Sequence, residues 1–572
     1  MMKIYHRFSE TKIVPNRWDV LAILILVGVF SLFVWGSKQM TAPYPLGSEL
    51  ALSLNLNQLP KYALFTVLRL FIAIIFSLLF TFIFGTWAAK SKRAASLIIP
   101  CIDILQSVPV LGFLSITVTG FIALFPNSRL GPECAAIFAI FTAQAWNMSL
   151  SFYQSLCSIP VELREATEIL HMSAWQRFWK LEVPFSIPGL LWNTMMSMSG
   201  SWMFLVASET ISVNNQTISL PGIGSYLGLA IAHADIHAVF YTILAMLLVI
   251  LLYDQLLFRP LSNWSTKFSM ESDDHGPMKR SWVTRLIQHT HILKYLNLLL
   301  SRLCDFCVNQ GSIGRASKIK VTQHWKRLGA IAWYVVLTVI LSIIAWTSIQ
   351  FLIKNTVWSE VLHVARLGLI TTLRVLVVIV ISSLIWVPLG VWIGLRHHAT
   401  ALIQPIAQFF AAFPSNVLFP LVVIAILRWH LNPQIWITPL MLLGTQWYIL
   451  FNVIAGTAVL PKDLKQVCDN FGIHGWQWWR RFILPGIFPY YLTGAITAVG
   501  GCWNVSIISE VVSWGKTTLT VSGIGAYIAQ YTSKGDFPKV ALGIGVMSAI
   551  VLLMNSMIWS PLYRFAQSRY RL

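Results

Sequence analysis

Apolar runs long enough to cross a bilayer recur along the whole chain, too many for a soluble fold to bury. A hydrocarbon core of about 30 Å needs about 20 mostly apolar residues per helix. Such runs fall at 18–36, 62–88, 97–125, 133–157, 187–212 and 236–258. A second series falls at 328–353, 367–395, 401–428, 433–459, 488–513 and 539–560. The third run of each series is interrupted by a proline, Pro109 or Pro414, which a membrane helix tolerates where neighbours or water satisfy the freed carbonyls. Only 11% of the 572 residues are charged, against roughly 25% in soluble domains. The fold expected is an all-α polytopic membrane protein of about twelve spans.

The formal charge of +20 does not mark a nucleic-acid partner, because Lys and Arg sit in short clusters between the apolar runs. That spacing follows the positive-inside rule. Lys3, Arg7, Lys12 and Arg17 put the N-terminus in the cytoplasm, and an even number of spans per half returns the C-terminus there. Lys90, Lys92 and Arg93, then Arg164, Arg177 and Lys180, mark further cytoplasmic loops, whereas no Lys or Arg lies between Thr210 and Asp235. Lys516 and Lys534 depart from the pattern, falling in a loop expected outside. No small-residue cleavage site follows the first run, which reads as a retained helix rather than a signal peptide. The seven cysteines are scattered; Cys304-x-x-Cys307 is a lone pair, read as two small residues on a helix face. No metal or cofactor site is expected.

The two series are copies. Arg69, Gly85, Pro100 and Pro109 recur as Arg374, Gly390, Pro405 and Pro414 at one offset (390 − 85 = 305). Trp146, Pro160, Trp202, Glu209, Gly222, Gly224 and Tyr226 recur as Trp447, Pro461, Trp503, Glu510, Gly523, Gly525 and Tyr527 (461 − 160 = 301). One deletion after the third span accounts for the change of register. The chain is therefore a tandem duplication: a first half over 1–258, a basic cytoplasmic linker over 259–327 and a second half over 328–572. Within the linker, Arg285–Val308 carries apolar residues at a spacing suited to a helix lying on the membrane surface. Repeats with an even number of spans are parallel, related by an axis along the membrane normal, with a path expected at their interface.

The loop between the fourth and fifth spans, 160–184 and 461–485, carries the most informative pattern. In the first half it contains Glu162, Glu165-Ala166-Thr167 and His171, then nine residues before Leu181-Glu182-Val183-Pro184. In the second it contains Gln466-Val467-Cys468 and Gly472, then nine residues before Phe482-Ile483-Leu484-Pro485. This resembles the E-A-A-x3-G-x9-I-x-L-P signature of type I ABC importer permeases. Leu163, Ala166 and Leu170 are expected to form an apolar face, with Glu162, Glu165 and Glu168 exposed. Gly472 suits a left-handed helix end, and His171 in the same slot suits it less. The Leu220-Pro-Gly-Ile-Gly-Ser-Tyr226 and Ser522-Gly-Ile-Gly-Ala-Tyr527 segments look like the nitrate/sulfonate/taurine class, and the fused arrangement like the duplicated permease of an anion transporter.

That resemblance implies that both loops dock into two ATPase subunits on the cytoplasmic side. It also implies an extracytoplasmic substrate-binding protein, a bacterial inner membrane location, and a role as transport subunit rather than enzyme. ATP and Mg would be bound by the partners; Gly515-Lys516-Thr517 lacks the first glycine of a phosphate loop, which would fall at Glu510. Arg69, Arg374, Glu209 and Glu510 are candidates for the path or its gate, or for pairing with one another. Trp146 and Trp447 read as interfacial packing. A secondary transporter with two parallel halves, and a fused type I permease for another cargo such as ferric iron, are the alternative readings. Because only the first loop keeps its acidic start, Glu165→Lys is expected to reduce ATPase association more than Asp463→Lys, measured by co-purification; equal losses would exclude unequal docking.

Overall fold

A computed structural model describes residues 17–41, 52–107, 110–213, 216–268, 357–458 and 460–569, with isolated positions between 290 and 354. Pro109, Cys304, Cys307, the linker beyond 268 except for isolated positions, and most of the 328–353 run lie outside the described residues. The described residues divide into two compact units that differ from the sequence halves. The smaller draws on 1–39, 151–195 and 251–321, and the larger on 40–150, 196–250 and 322–572.

Among the described residues, seven helices are long and apolar enough to cross a membrane. They are Leu56–Lys90, Leu130–Cys157, Ile236–Ser265, Trp358–Gly394, Pro433–Ala458, Gly475–Ser509 and Phe537–Ala566. The helix Arg17–Met40 covers the first expected run. The third runs are broken rather than continuous helices. Residues 97–125 contribute to two helices, Lys92–Ser107 and Val110–Leu124, and the 401–428 run bends by 79° between Ile406–Ala412 and Ser415–Arg428. Proline supplies the reason in the second half: Phe413 and Pro414 are extended, and a 3-10 turn Ser415–Leu418 restarts the helix.

The fifth runs also end early, at Ser208 and Ser509, because each is followed by a β-hairpin. In the first, β1 (Thr210–Val213) pairs antiparallel with β2 (Gln216–Ser219). In the second, β3 (Val511–Trp514) pairs with β4 (Thr517–Thr520). Gly515 and Lys516 are the two turn residues of β3–β4, Gly515 with φ +58°, a glycine-first turn that matches strand twist. The Gly-Lys-Thr sequence thus belongs to a hairpin.

The duplication holds to the residue. Val161–Ile169 and Lys462–Asn470, Val183–Ser208 and Leu484–Ser509, and β1 and β3 all share the offset of 301 (511 − 210). Two irregularities repeat, five-residue π turns at Phe178–Glu182 and Trp479–Ile483 and again at Asp254–Phe258 and Asn555–Trp559, whereas the π turn Thr81–Gly85 falls where the second half runs on as the α-helix Trp358–Gly394.

Within the larger unit one apolar core takes residues from both halves, including Leu111, Val118, Ala139 and Met203 with Trp503 and Tyr527. Small residues set the closest helix approaches. A Cβ on Gly494 would lie 2.8 Å from the Tyr448 carbonyl oxygen and 2.9 Å from the Asn452 Cβ. The equivalent first-half pair exchanges the bulk: Asn193 stands where Gly494 does, Ser151 where Asn452 does, and the Asn193 amide donates to the Ser151 hydroxyl at 2.9 Å. Gly494→Asn alone is therefore expected to cost about 1–3 kcal/mol through overpacking. Asn452→Ser keeps its Cβ and leaves the Tyr448 carbonyl in place, so it should not rescue the loss; thermal unfolding of the single and double variants measures this, and full recovery in the double variant would refute the close approach.

Candidate functional site

The two loops share a backbone although their residues differ. After Pro160, the helix Val161–Ile169 closes with the Met172 amide on the Thr167 carbonyl at 3.0 Å and the His171 amide on that of Glu168 at 3.0 Å. After Pro461, Lys462–Asn470 closes with Ile473 on Cys468 at 2.9 Å and Gly472 on Asp469 at 3.2 Å. Both patterns are Schellman caps, whose C′ residue is left-handed. Gly472 has φ +62° and His171 φ +47°, so histidine occupies the glycine slot against its own preference.

Glu162, Glu165 and Glu168 are exposed, but the expected apolar face differs. Thr167 is buried and Leu163 partly so, while Ala166 is exposed and Leu170 is 66% exposed. Leu170 is the last residue before the left-handed turn at His171 and lies at the exposed end of the helix, while the burial follows Leu163 and Thr167. In the second loop Cys468, the Thr167 equivalent, is buried, whereas Gln466 and Val467 are exposed. Phe471, beside the cap, is 78% exposed.

At the hairpin end of the larger unit each half builds a buried polar lock. Arg69 is fully buried; its Nε and Nη2 donate to the two oxygens of Glu133 at 2.6 and 2.8 Å, and its Nη1 to Glu209 at 2.7 Å. The Thr66 hydroxyl also donates to Glu209 and accepts from the Ile223 amide, while the Gly224 amide donates to Glu209 at 2.6 Å. In the second half Arg374 donates to Glu510 at 3.0 Å and to Gln434 at 2.7 Å. The Thr371 hydroxyl donates to Glu510 and accepts from Ile524, and the Ala526 amide completes the carboxylate.

The Gly-Ile-Gly segments fit this lock. A Cβ at Gly222 or Gly523 would fall on the carboxylate of Glu209 or Glu510, and one at Gly224 would overlap the Val206 carbonyl. Tyr226 and Tyr527 then tie the following helices, Ile223–Ala232 and Ile524–Lys534, to the Leu54 carbonyl at 3.0 Å and to Glu360 at 2.8 Å. The arginines and glutamates singled out as path or gate candidates are thus turned into the protein, with Arg69, Glu209 and Glu510 fully buried. Sequence reasoning missed Thr66, Glu133, Thr371 and Gln434. The repeat could have found them, since they keep the offsets of 305 (371 − 66) and 301 (434 − 133). Trp146 packs edge-on against Phe80 and Phe141, and Trp447 lies 5.5 Å from Trp386, both aromatic packing contacts.

Removing one partner from a buried ion pair leaves an uncompensated charge. Arg69→Met is expected to lower stability by about 3–5 kcal/mol, whereas Glu133→Gln, which copies the second half, should cost far less. Chemical unfolding in detergent micelles measures both; equal penalties would contradict the geometry.

The family described as the binding-protein-dependent transport system inner membrane component matches twice, at residues 81–258 and 386–570. The bicarbonate transport system permease protein CmpB of Synechococcus elongatus is 25% identical over 178 residues, 31% of this chain and 61% of that protein. The nitrate import permease protein NrtB of Leptolyngbya laminosa is 24% identical over 185 residues, 32% of this chain and 63% of that protein. The glycine betaine/carnitine transport permease protein GbuB of Listeria monocytogenes is 26% identical over 174 residues, 30% of this chain and 56% of that protein. The chain thus matches less than two thirds of the length of each of these relatives. With two matches that together span most of a duplicated membrane chain, this protein belongs to the family of inner membrane components of binding-protein-dependent transport systems.

Proposed function

We propose that this chain is the permease of an ATP-driven importer for a small anionic solute, with both walls of the path supplied by one polypeptide. The observation that carries the reading is the recurrence of one exposed, capped short helix at Val161–Ile169 and Lys462–Asn470. A solvated loop needs no such conservation of backbone, whereas a handle for a partner does. Each helix docks into one of two ATPase subunits, and its Schellman cap makes it stiff enough to pass closure of the ATPases to the following span. The contacting residues are Glu162, Glu165, Ala166 and His171 in the first loop, and Gln466, Val467 and Gly472 in the second. Thr167 and Cys468 are buried beneath and hold each helix against its own neighbours.

In this reading the chain hydrolyses nothing, and ATP and Mg belong to the partner subunits. A binding protein delivers the solute on the outer side of a bacterial inner membrane. Both termini and the loops 160–184 and 461–485 face the cytoplasm, and the hairpins face outward. The bicarbonate and nitrate named for two of the relatives support a small anion as cargo.

The test is uptake into proteoliposomes holding the chain, its ATPases and its binding protein. Labelled bicarbonate or nitrate should accumulate only with ATP on the loop side. Uptake by the chain alone, without ATP, would make it a secondary transporter and end this reading.

A further inference from the structure

Within the larger unit, each broken helix grips the fifth span of the opposite half at exchanged positions. The Val110 amide, at the start of the helix Val110–Leu124, donates to Asn504 Oδ1 at 2.9 Å. At the other break the Ser415 hydroxyl donates to the Met203 sulfur at 4.0 Å, and the neighbouring Asn416 Nδ2 donates to the Met203 carbonyl at 3.1 Å. Val110 and Ser415 are equivalents at the offset of 305 (415 − 110), and Met203 and Asn504 at 301 (504 − 203). The same two positions thus meet twice, with the halves exchanged, which is the form of a two-fold contact.

The breaks themselves call for such ties. Val110 opens its helix, so its amide has no carbonyl one turn earlier to bond, and a buried donor needs a partner. Asn504 supplies that partner and is aimed by its own Nδ2, which donates to the Gly500 carbonyl at 3.2 Å. Asn416, in the turn Ser415–Leu418, reaches the first-half span in return. Gly112 lets the restarted helix lie against the second half, since a Cβ there would be 3.1 Å from Ile544 Cγ1 and 3.5 Å from Ile507 Cδ1. One turn further from the hairpins the grip loosens. Among the described residues, a Cβ on Gly200 would meet only the Tyr448 hydroxyl, at 3.9 Å, and one on Gly500 would meet nothing within 4 Å. The ties therefore form a narrow band, five residues (509 − 504) before the spans end at Ser208 and Ser509.

Resting on the importer reading, we propose that this band is the closed gate of the path at its hairpin end. The bonds of Val110 to Asn504 and of Asn416 to Met203 are its latch, and solute entry breaks both. Opening draws the two halves apart there and admits water, which takes over the freed amide and carbonyl. A hydrogen bond exchanged for water in this way shifts the closed-to-open ratio by about two- to tenfold. Two of them hold the path shut at rest and still release it when a partner binds. An apolar side chain in place of either asparagine removes one bond from the closed state alone and so favours the open one. Opening at the hairpin end and closure of the ATPases are linked in this reading, so a weakened latch raises ATP hydrolysis in the absence of the binding protein.

Two experiments on the chain assembled with its ATPases in proteoliposomes read the latch. In the first, Asn504→Leu and Asn416→Leu should each raise ATPase activity, measured without the binding protein, by about two- to tenfold, and together by about the product. Unchanged or lowered activity in variants that still assemble would overturn the proposal, because bonds that only support the fold have no reason to restrain hydrolysis. In the second, both asparagines are kept. Met203→Cys and Ser415→Cys, whose side chains meet across the band, are joined by a short reducible thiol reagent, with each single variant as control. Cross-linking should stop binding-protein-dependent uptake, and reduction should restore it, whether or not the leucine variants assemble. Full uptake by the cross-linked chain would overturn the proposal. The importer reading fails separately: uptake without ATP that cross-linking stops defeats that reading and leaves the gate standing. ATP-driven uptake that survives cross-linking defeats the gate alone.

Discussion

A guanidinium inside a membrane protein needs partners for its charge and its five N–H groups, and the hairpin end of each half is organised around meeting that need. Arg69 draws in Glu133 from the start of one span and Glu209 from the end of another. Glu209 in turn receives Thr66 and the Gly224 amide. The chain after the hairpin must lie directly on the carboxylate, so glycine is required at 222 and 523. One electrostatic demand thus fixes two helix ends, a hairpin and the short helix beyond it.

The copies diverge in a way that polarity explains. The first lock pairs one arginine with two carboxylates, and the second replaces Glu133 with Gln434. The Nη1 and Nη2 bonds are kept, the bidentate grip on Glu133 becomes a single bond to Gln434, and the formal charge rises by one. Ser151 with Asn193 against Gly494 with Asn452 shows the same logic in packing, because bulk moves between partners while the pair persists. The loops diverge in charge and keep their shape, as expected where backbone geometry matters more than any one side chain.

The spans, the duplication and the paired loops were legible because bilayer thickness and repetition leave strong marks on sequence. The hairpins were not. Thr210–Val213 continues the apolar run before it, and hydropathy cannot separate a strand from the last turn of a span. Glu133 and Gln434 do not stand out as equivalents in the sequence, because one is charged and the other is not. The buried face of Val161–Ile169 differs from the periodic one because burial depends on what packs against the helix: Thr167 is covered, whereas Ala166 and Leu170, at the end of the helix, are exposed. Pro414 marked the break in the second half, but the bond that holds the turn after it, from the Asn416 amide to the Met203 carbonyl, joins residues 213 apart in sequence.

The central claim is that the two loops are handles for ATPase subunits. Cysteines placed at Glu165 and Gln466, each tested singly in the assembled transporter with a short bifunctional thiol reagent, measure it most directly. The account predicts a cross-link to an ATPase subunit from both positions, with a yield that changes when ATP is bound. Cross-linking from neither position, in a complex that still transports, would contradict it.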